Sequence, residues 1–128
     1  MTGQRDCDST VTSGRMDKAT EFLDLAAFAE DTHPTAAAHL YVDAGIAAAD
    51  VICCVRLGMH SNTGSHSEAR ALLKKAESGS ERHLATLPSL KNKAAYTHEP
   101  ISPAECKKMN RAAGHLVEAA KRAMASTR

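Results

Sequence analysis

Residues 91–102 place two cations, an amide, a phenol and an imidazole close together: Lys91, Asn92, Lys93, Tyr96 and His98. Lysine and asparagine bind phosphate oxygens or base edges, and histidine moves a proton near neutral pH. A fixed cation beside such a histidine would neutralise an anionic transition state. A purely structural reading also accounts for these residues. Lys91 and Lys93 would be the solvated end of a helix, where cations offset the backbone dipole. Tyr96 would then pack between helices, and His98 would belong to the loop before the next one.

Further candidates lie elsewhere. Lys107, Lys108, Arg111, Lys121 and Arg122 fall on the polar side of the final helical segment, and with Lys74 and Lys75 they could track a phosphate backbone. No aromatic is interleaved with them for base stacking, so a solvated face is the default. Asp50 interrupts an otherwise apolar run, residues 47–54. A buried carboxylate needs a partner. Asp50 shares a helical stripe with Asp43 and His39. Either that stripe is the wet face of the helix, or Asp50 forms a buried ion pair with a basic side chain from the C-terminal half.

The histidines (His33, His39, His60, His66, His83, His98 and His115) contain no His-x3-His pair and no HExxH motif. Cys7, Cys53, Cys54 and Cys106 show no CxxC spacing. No metal or other cofactor is therefore expected. The cysteines read as free thiols that act as small hydrophobes in a reducing compartment.

The elements that must position these residues are helical. The chain has 128 residues, enough for one domain with a modest core. Aromatics make up 3% and tryptophan is absent, so alanine, leucine, valine, isoleucine and methionine must build that core. Small side chains let helices approach closely and favour helix over strand. Net charge is +1, but residues 1–64 carry four Lys/Arg against nine Asp/Glu, and residues 65–128 carry twelve against six. Such asymmetry marks either an acidic or nucleic-acid partner surface or two groups of helices that face each other. No apolar run is long enough to cross a membrane, and the N-terminal residues lack the apolar stretch of a signal peptide. A cytoplasmic location is expected.

Residues 1–13, rich in Ser, Thr, Asp and Gly, read as a disordered tail, and residues 14–128 as the bundle. A first helix is predicted over 15–30, with Ala19, Phe22, Leu23, Ala26 and Ala29 on one face. Pro34 opens a second over 34–57, apolar nearly all round and hence central. Ser65 and Glu68 fit a capping box for a third helix reaching about residue 77. A break at 78–80 precedes a segment over 81–96 that contains Pro88, so 67–96 is either one bent helix or two. Ser102, Pro103 and Glu105 form a second capping box for a last helix to 125, with Met109, Ala112, Ala113, Leu116, Val117, Ala120 and Met124 buried. The expected fold is all-α, an antiparallel bundle of four or five helices.

Residues 92–96 (Asn-Lys-Ala-Ala-Tyr), the short loop and the last helix with its Ala112-Ala113, Leu116-Val117, Ala120 stripe resemble the C-terminal end of HEPN domains (higher eukaryotes and prokaryotes nucleotide-binding). That family often carries an Arg-Asn-x-Ala-x-Tyr stretch before its last helix. Residues 41–54 resemble its central helix more weakly. The likeness follows helix order over residues 15–125, with motif-level similarity in about 30 of them. It implies a metal-independent endoribonuclease, a homodimer with both motifs on one cleft, and often a toxin paired with an antitoxin. In cleaving members an Arg is followed, after four to six intervening residues, by a His. Here Lys91 stands at the Arg position and six residues separate it from His98, so the motif is degenerate and activity would be weak or lost.

On this resemblance His98 would be the general acid/base for attack by the ribose 2′-OH. Lys91 or Lys93 would stabilise the phosphorane, and Asn92 and Tyr96 would position the strand. Lys93, Lys107, Lys108 and Arg111 complete the expected RNA-binding set. The alternative is a non-catalytic helical interaction or scaffold protein that binds a protein partner.

Overall fold

The longest apolar segment of the sequence becomes the centre of the molecule. The computed structural model describes residues 4–62 and 66–126. Its elements in order are β1 (Gln4–Asp6), α1 (Ser9–Ala29), α2 (Pro34–Leu57), β2 (Met59–Ser61), α3 (His66–Ala76), a 3-10 turn (Ser78–Ser80), α4 (Glu81–Tyr96) and α5 (Pro103–Ala125). The fold is an all-α bundle with one two-stranded sheet.

α2 packs against each of the other four helices. Its start is set by Pro34, whose fixed φ suits the first turn and whose missing N–H would be unpaired there anyway. Its end is set by Gly58, in the left-handed region at φ 78°, whose N–H bonds to the Cys54 carbonyl at 3.0 Å. Ala37, Ala38, Ala44, Ala47, Ala48 and Ala49 are all buried along it. Around this small-residue helix the core is filled by Tyr41, Ile52, Leu73, Leu84, Leu87, Met109 and Leu116. Gly45 lies where α2 meets α4 and α5. A β-carbon there would collide with Leu87 Cδ1 and come within 3.3 Å of Leu116 Cδ1.

α1 packs mainly on α2, through buried Ala19 and Ala26 with Phe22 and Leu23 half-buried beside them. Leu25 and Phe28 point outward from the same helix, and Phe28 is 85% exposed. The residues read as a tail are ordered from Gln4 onward. Gln4–Asp6 pairs antiparallel with Met59–Ser61 in the register Gln4 to Ser61, Arg5 to His60 and Asp6 to Met59. α1 begins at Ser9 rather than at 15, because the Asp8 carboxylate accepts the Val11 N–H at 2.9 Å and caps the first turn. Residues 1–3 lie outside the described residues.

The free-thiol reading is corrected at two positions. Cys7 and Cys54 form a disulfide across 47 residues of sequence. The left-handed turn at Gly58 sends the chain back along β2, and β1, paired to it, delivers Cys7 to the end of α2. The Cys7 N–H bonds to the Gly58 carbonyl at 3.0 Å. Cys53 and Cys106 are free and buried.

Residues 66–96 form two helices rather than one bent helix, separated by the 3-10 turn at Ser78–Ser80. The Ser80 hydroxyl donates to the Glu77 carboxylate at 2.5 Å. Pro88 lies inside α4. Ser65, the expected cap of α3, lies outside the described residues. The box at α5 is complete: the Ser102 Oγ accepts the Glu105 N–H at 3.1 Å, and the Glu105 carboxylate accepts the Ser102 N–H at 2.9 Å.

Candidate functional site

The joint between α4 and α5 separates the residues that the sequence groups together. The Lys93 ammonium donates to both Glu105 oxygens, at 3.0 and 3.1 Å. Glu105 is held below its ordinary pKa, first by the Ser102 backbone N–H and then by Lys93. Lys93 is thus a strut that locks the end of α4 onto the start of α5. Tyr96 is not an interhelical packing residue, since it is 80% exposed. The Thr97 hydroxyl donates to the Lys93 carbonyl at 2.8 Å and accepts the Glu99 N–H at 3.2 Å, which shapes the loop. Asn92 and His98 are exposed and Lys91 is half-buried. No hydrogen bond or ion pair joins Lys91 to His98.

The basic stripe of α5 divides in the same way. Lys107 donates to Glu30 at 3.4 Å, and Asn110 donates to the same carboxylate at 3.3 Å. The buried Tyr41 hydroxyl also donates to Glu30. Burial pushes the Glu30 carboxyl up, but the bonds from Tyr41, Asn110 and Lys107 together hold it below its ordinary value. Burial and then Glu30 drive the Tyr41 phenol well up, so it stays a donor. This network fastens the C-terminal end of α1 to α2 and α5. Lys108 and Arg111 remain exposed.

A second cluster lies at the other end of the sequence. Asp50 on α2 is 6% exposed, whereas Asp43 on the same stripe is exposed. Of the two alternatives for Asp50, the structure has an ion pair and not a wet face, and the partner comes from α1 rather than from the C-terminal half. The Arg15 Nε donates to Asp50 Oδ2 at 3.0 Å and one Nη lies 2.8 Å from the same oxygen. His60 on β2 lies 3.7 Å from Asp50 Oδ1 through its Nδ1. Burial raises the Asp50 carboxyl, and Arg15 and then His60 oppose that rise.

The tautomer of His60 follows from its neighbours. Its Nδ1 lies 2.7 Å from the Ser61 carbonyl, which can only accept, so Nδ1 carries the proton. Among the described residues Nε2 has no hydrogen-bond partner. His60 is only 8% exposed, yet among the described residues no fully buried side-chain nitrogen or oxygen lacks a partner, so Nε2 is not fully buried. His60 lines a cleft of about 470 Å³ together with residues of β1, α1, α2 and β2 and with Asn62. The cleft can hold an anion against Arg15, with the His60 imidazole beside it.

Arg15 and His60 escaped the sequence reading because they stand 45 positions apart and no motif joins them. The isolated Asp50 was the available signal. Elsewhere His83 on α4 stacks on His115 on α5, with ring centroids 4.6 Å apart. Among the described residues, no three His, Cys, Asp or Glu side chains gather as a metal site, and no helix is long and apolar enough to cross a membrane.

The fold and these sites define a small disulfide-linked helical bundle with a polar cleft beside its hairpin. A scan against protein-family models finds no match for the chain, and a search of curated proteins finds none either.

Proposed function

We propose that this chain is a non-catalytic helical interaction module that docks a protein partner through the outer face of α1. The carrying observation is the pair Leu25 and Phe28, 50% and 85% exposed, three residues apart on one helical face. Large apolar side chains side by side in water mark contact surfaces more often than scattered single ones do. Two further features favour this reading over strand cleavage. Lys93 and Lys107 are engaged by carboxylates of the same chain. The Cys7–Cys54 bond fits an oxidising compartment better than the expected cytoplasm.

A second copy of the chain is the partner to test first, in keeping with the homodimer that the HEPN resemblance implies. Sedimentation equilibrium should show concentration-dependent dimerisation that Phe28→Ser abolishes. A monomer at every concentration, unaltered by Phe28→Ser, would refute docking of a second copy through α1.

The exposure of Tyr96 favours a second reading, a HEPN-like RNA-interacting module of the toxin–antitoxin type. A free tyrosine ring can stack on an unpaired base, with Lys91 and Asn92 on the preceding turn and His98 two residues on. It predicts RNA binding that weakens with salt and with Tyr96→Ala. It also predicts that any cleavage disappears in His98→Ala. RNA retention that ignores both salt and Tyr96→Ala would count decisively against it.

A further inference from the structure

Residues 1–64 contain nine acidic side chains and four Lys/Arg: Arg5, Arg15, Lys18 and Arg56. Three of those four line one cleft. Arg5 comes from β1, and Arg15 and Lys18 from α1. Asp50 is the only acidic residue among the described lining residues, and its pairing with Arg15 at 2.8 Å leaves two lining cations, Arg5 and Lys18, without an acidic counterpart there. Convergence of like charges is unfavourable unless an anion shares the space. The cationic void therefore stands out within an acidic half.

We propose that this cleft binds a small phosphomonoester. Arg15 is gripped through Nε and one Nη by a single oxygen of Asp50, which fixes the guanidinium plane and leaves its other Nη without a partner among the described residues. The remaining Nη hydrogens of a guanidinium fixed in this way can donate to a phosphate oxygen. His60, which also lines the cleft, contributes Nε2, a nitrogen with no partner among the described residues. It accepts from the P–OH of a phosphate monoanion, or carries a proton and donates to the dianion. The two arrangements have the same total number of protons. A sulfate ester has no such proton to give.

The organic part of the ligand is implied by size and by the walls. A void of about 470 Å³ is in the range of small-molecule sites and larger than a lone oxyanion requires. Val11 and Ile46 supply apolar wall beside the cations. Gly14 also lines the cleft, and a β-carbon added there would meet nothing within 4 Å, so its absence keeps the mouth wide. The cleft shares no residue with the α4–α5 joint or with Leu25 and Phe28, so this inference does not depend on either functional reading.

The test uses the full chain in phosphate-free, low-salt buffer, titrated with phenyl phosphate and followed by amide NMR. Saturable shifts confined to residues near 5, 14–18 and 60–62 are expected. Lys18→Ala, at an exposed position, should weaken binding about tenfold, the effect of losing one charge-assisted bond. Gly14→Glu should abolish it, while Gly14→Ala confirms that the helix tolerates a side chain there. Phenyl sulfate should bind clearly more weakly, and inorganic phosphate more weakly than the ester. Absence of saturable shifts overturns the proposal, as does undiminished binding in Gly14→Glu. Equal binding of sulfate ester and phosphate ester overturns the assignment of ligand class.

Discussion

Reducing the Cys7–Cys54 disulfide should cost a large share of the stability of this protein, and the amount follows from chain length. The bond closes a loop across 47 residues of sequence. Opening it returns conformational freedom to the unfolded chain worth about 4 kcal/mol at 25 °C on the chain-entropy account. For 128 residues the unfolding entropy is about 0.27 kcal/mol per kelvin, so the melting temperature should fall by about 15 °C. Differential scanning calorimetry with and without reductant measures this directly. Cys7→Ser should reproduce the reduced value, because Cys7 is the more exposed end of the bond and its oxygen analogue leaves the α2 core intact. Alkylation after unfolding without reductant should label Cys53 and Cys106 alone, since these are the free thiols. A drop of less than about 3 °C would refute the loop-entropy argument. Labelling of all four cysteines in the untreated protein would refute the bond.

Three further outcomes follow from the packing and the titrating groups. Gly14→Ala and Gly45→Ala should act with opposite signs in urea denaturation: the first gains up to about 1 kcal/mol of helix propensity, while the second loses through collision with the buried Leu87. Ser102→Ala should lower stability by about 1 kcal/mol through loss of the α5 cap, measured the same way. The His83 imidazole is held below its ordinary value by burial and then by His115 and Arg82. The folded form therefore binds that proton less readily than the unfolded one. Stability is full above pH 6.5, the ordinary value, and declines as pH falls below it. Urea midpoints across that range should flatten in His83→Gln, and an unchanged slope would remove His83 as the cause.

The helices were legible in the sequence where local chemistry marks their ends. Pro34 and Gly58 bracket α2, and Ser102 with Glu105 opens α5, because those residues fix φ or satisfy end groups whatever surrounds them. α1 was mis-started because Ser9, Thr10, Thr12 and Ser13 have weak helix propensity. The Asp8 cap and the tether at Cys7 hold them in the helix. The β1–β2 pairing was invisible, since three-residue strands show no alternation and their partners lie far apart in sequence. Charge asymmetry suggested a distant partner for Asp50, yet packing of α1 on α2 delivered Arg15, one of the few cations in the acidic half. The joint at 91–102 was legible as structure, but the sequence could not show that Glu105 would claim Lys93.

Cys53 sits beside one end of the disulfide and has the chemistry to undo it. Thiol–disulfide exchange requires a thiolate, and burial followed by the nearby Asp50 charge pushes the Cys53 thiol up to about 12. Relative to an ordinary thiol near 9, that lowers the attacking fraction by about a thousandfold. The adjacent sulfur is therefore a weak attacker of the bond near neutral pH. The lifetime of the bond is set from outside, by how readily a reductant reaches the Cys7 sulfur. The carboxylate that orients Arg15 thus also guards the covalent link that holds β1 in place.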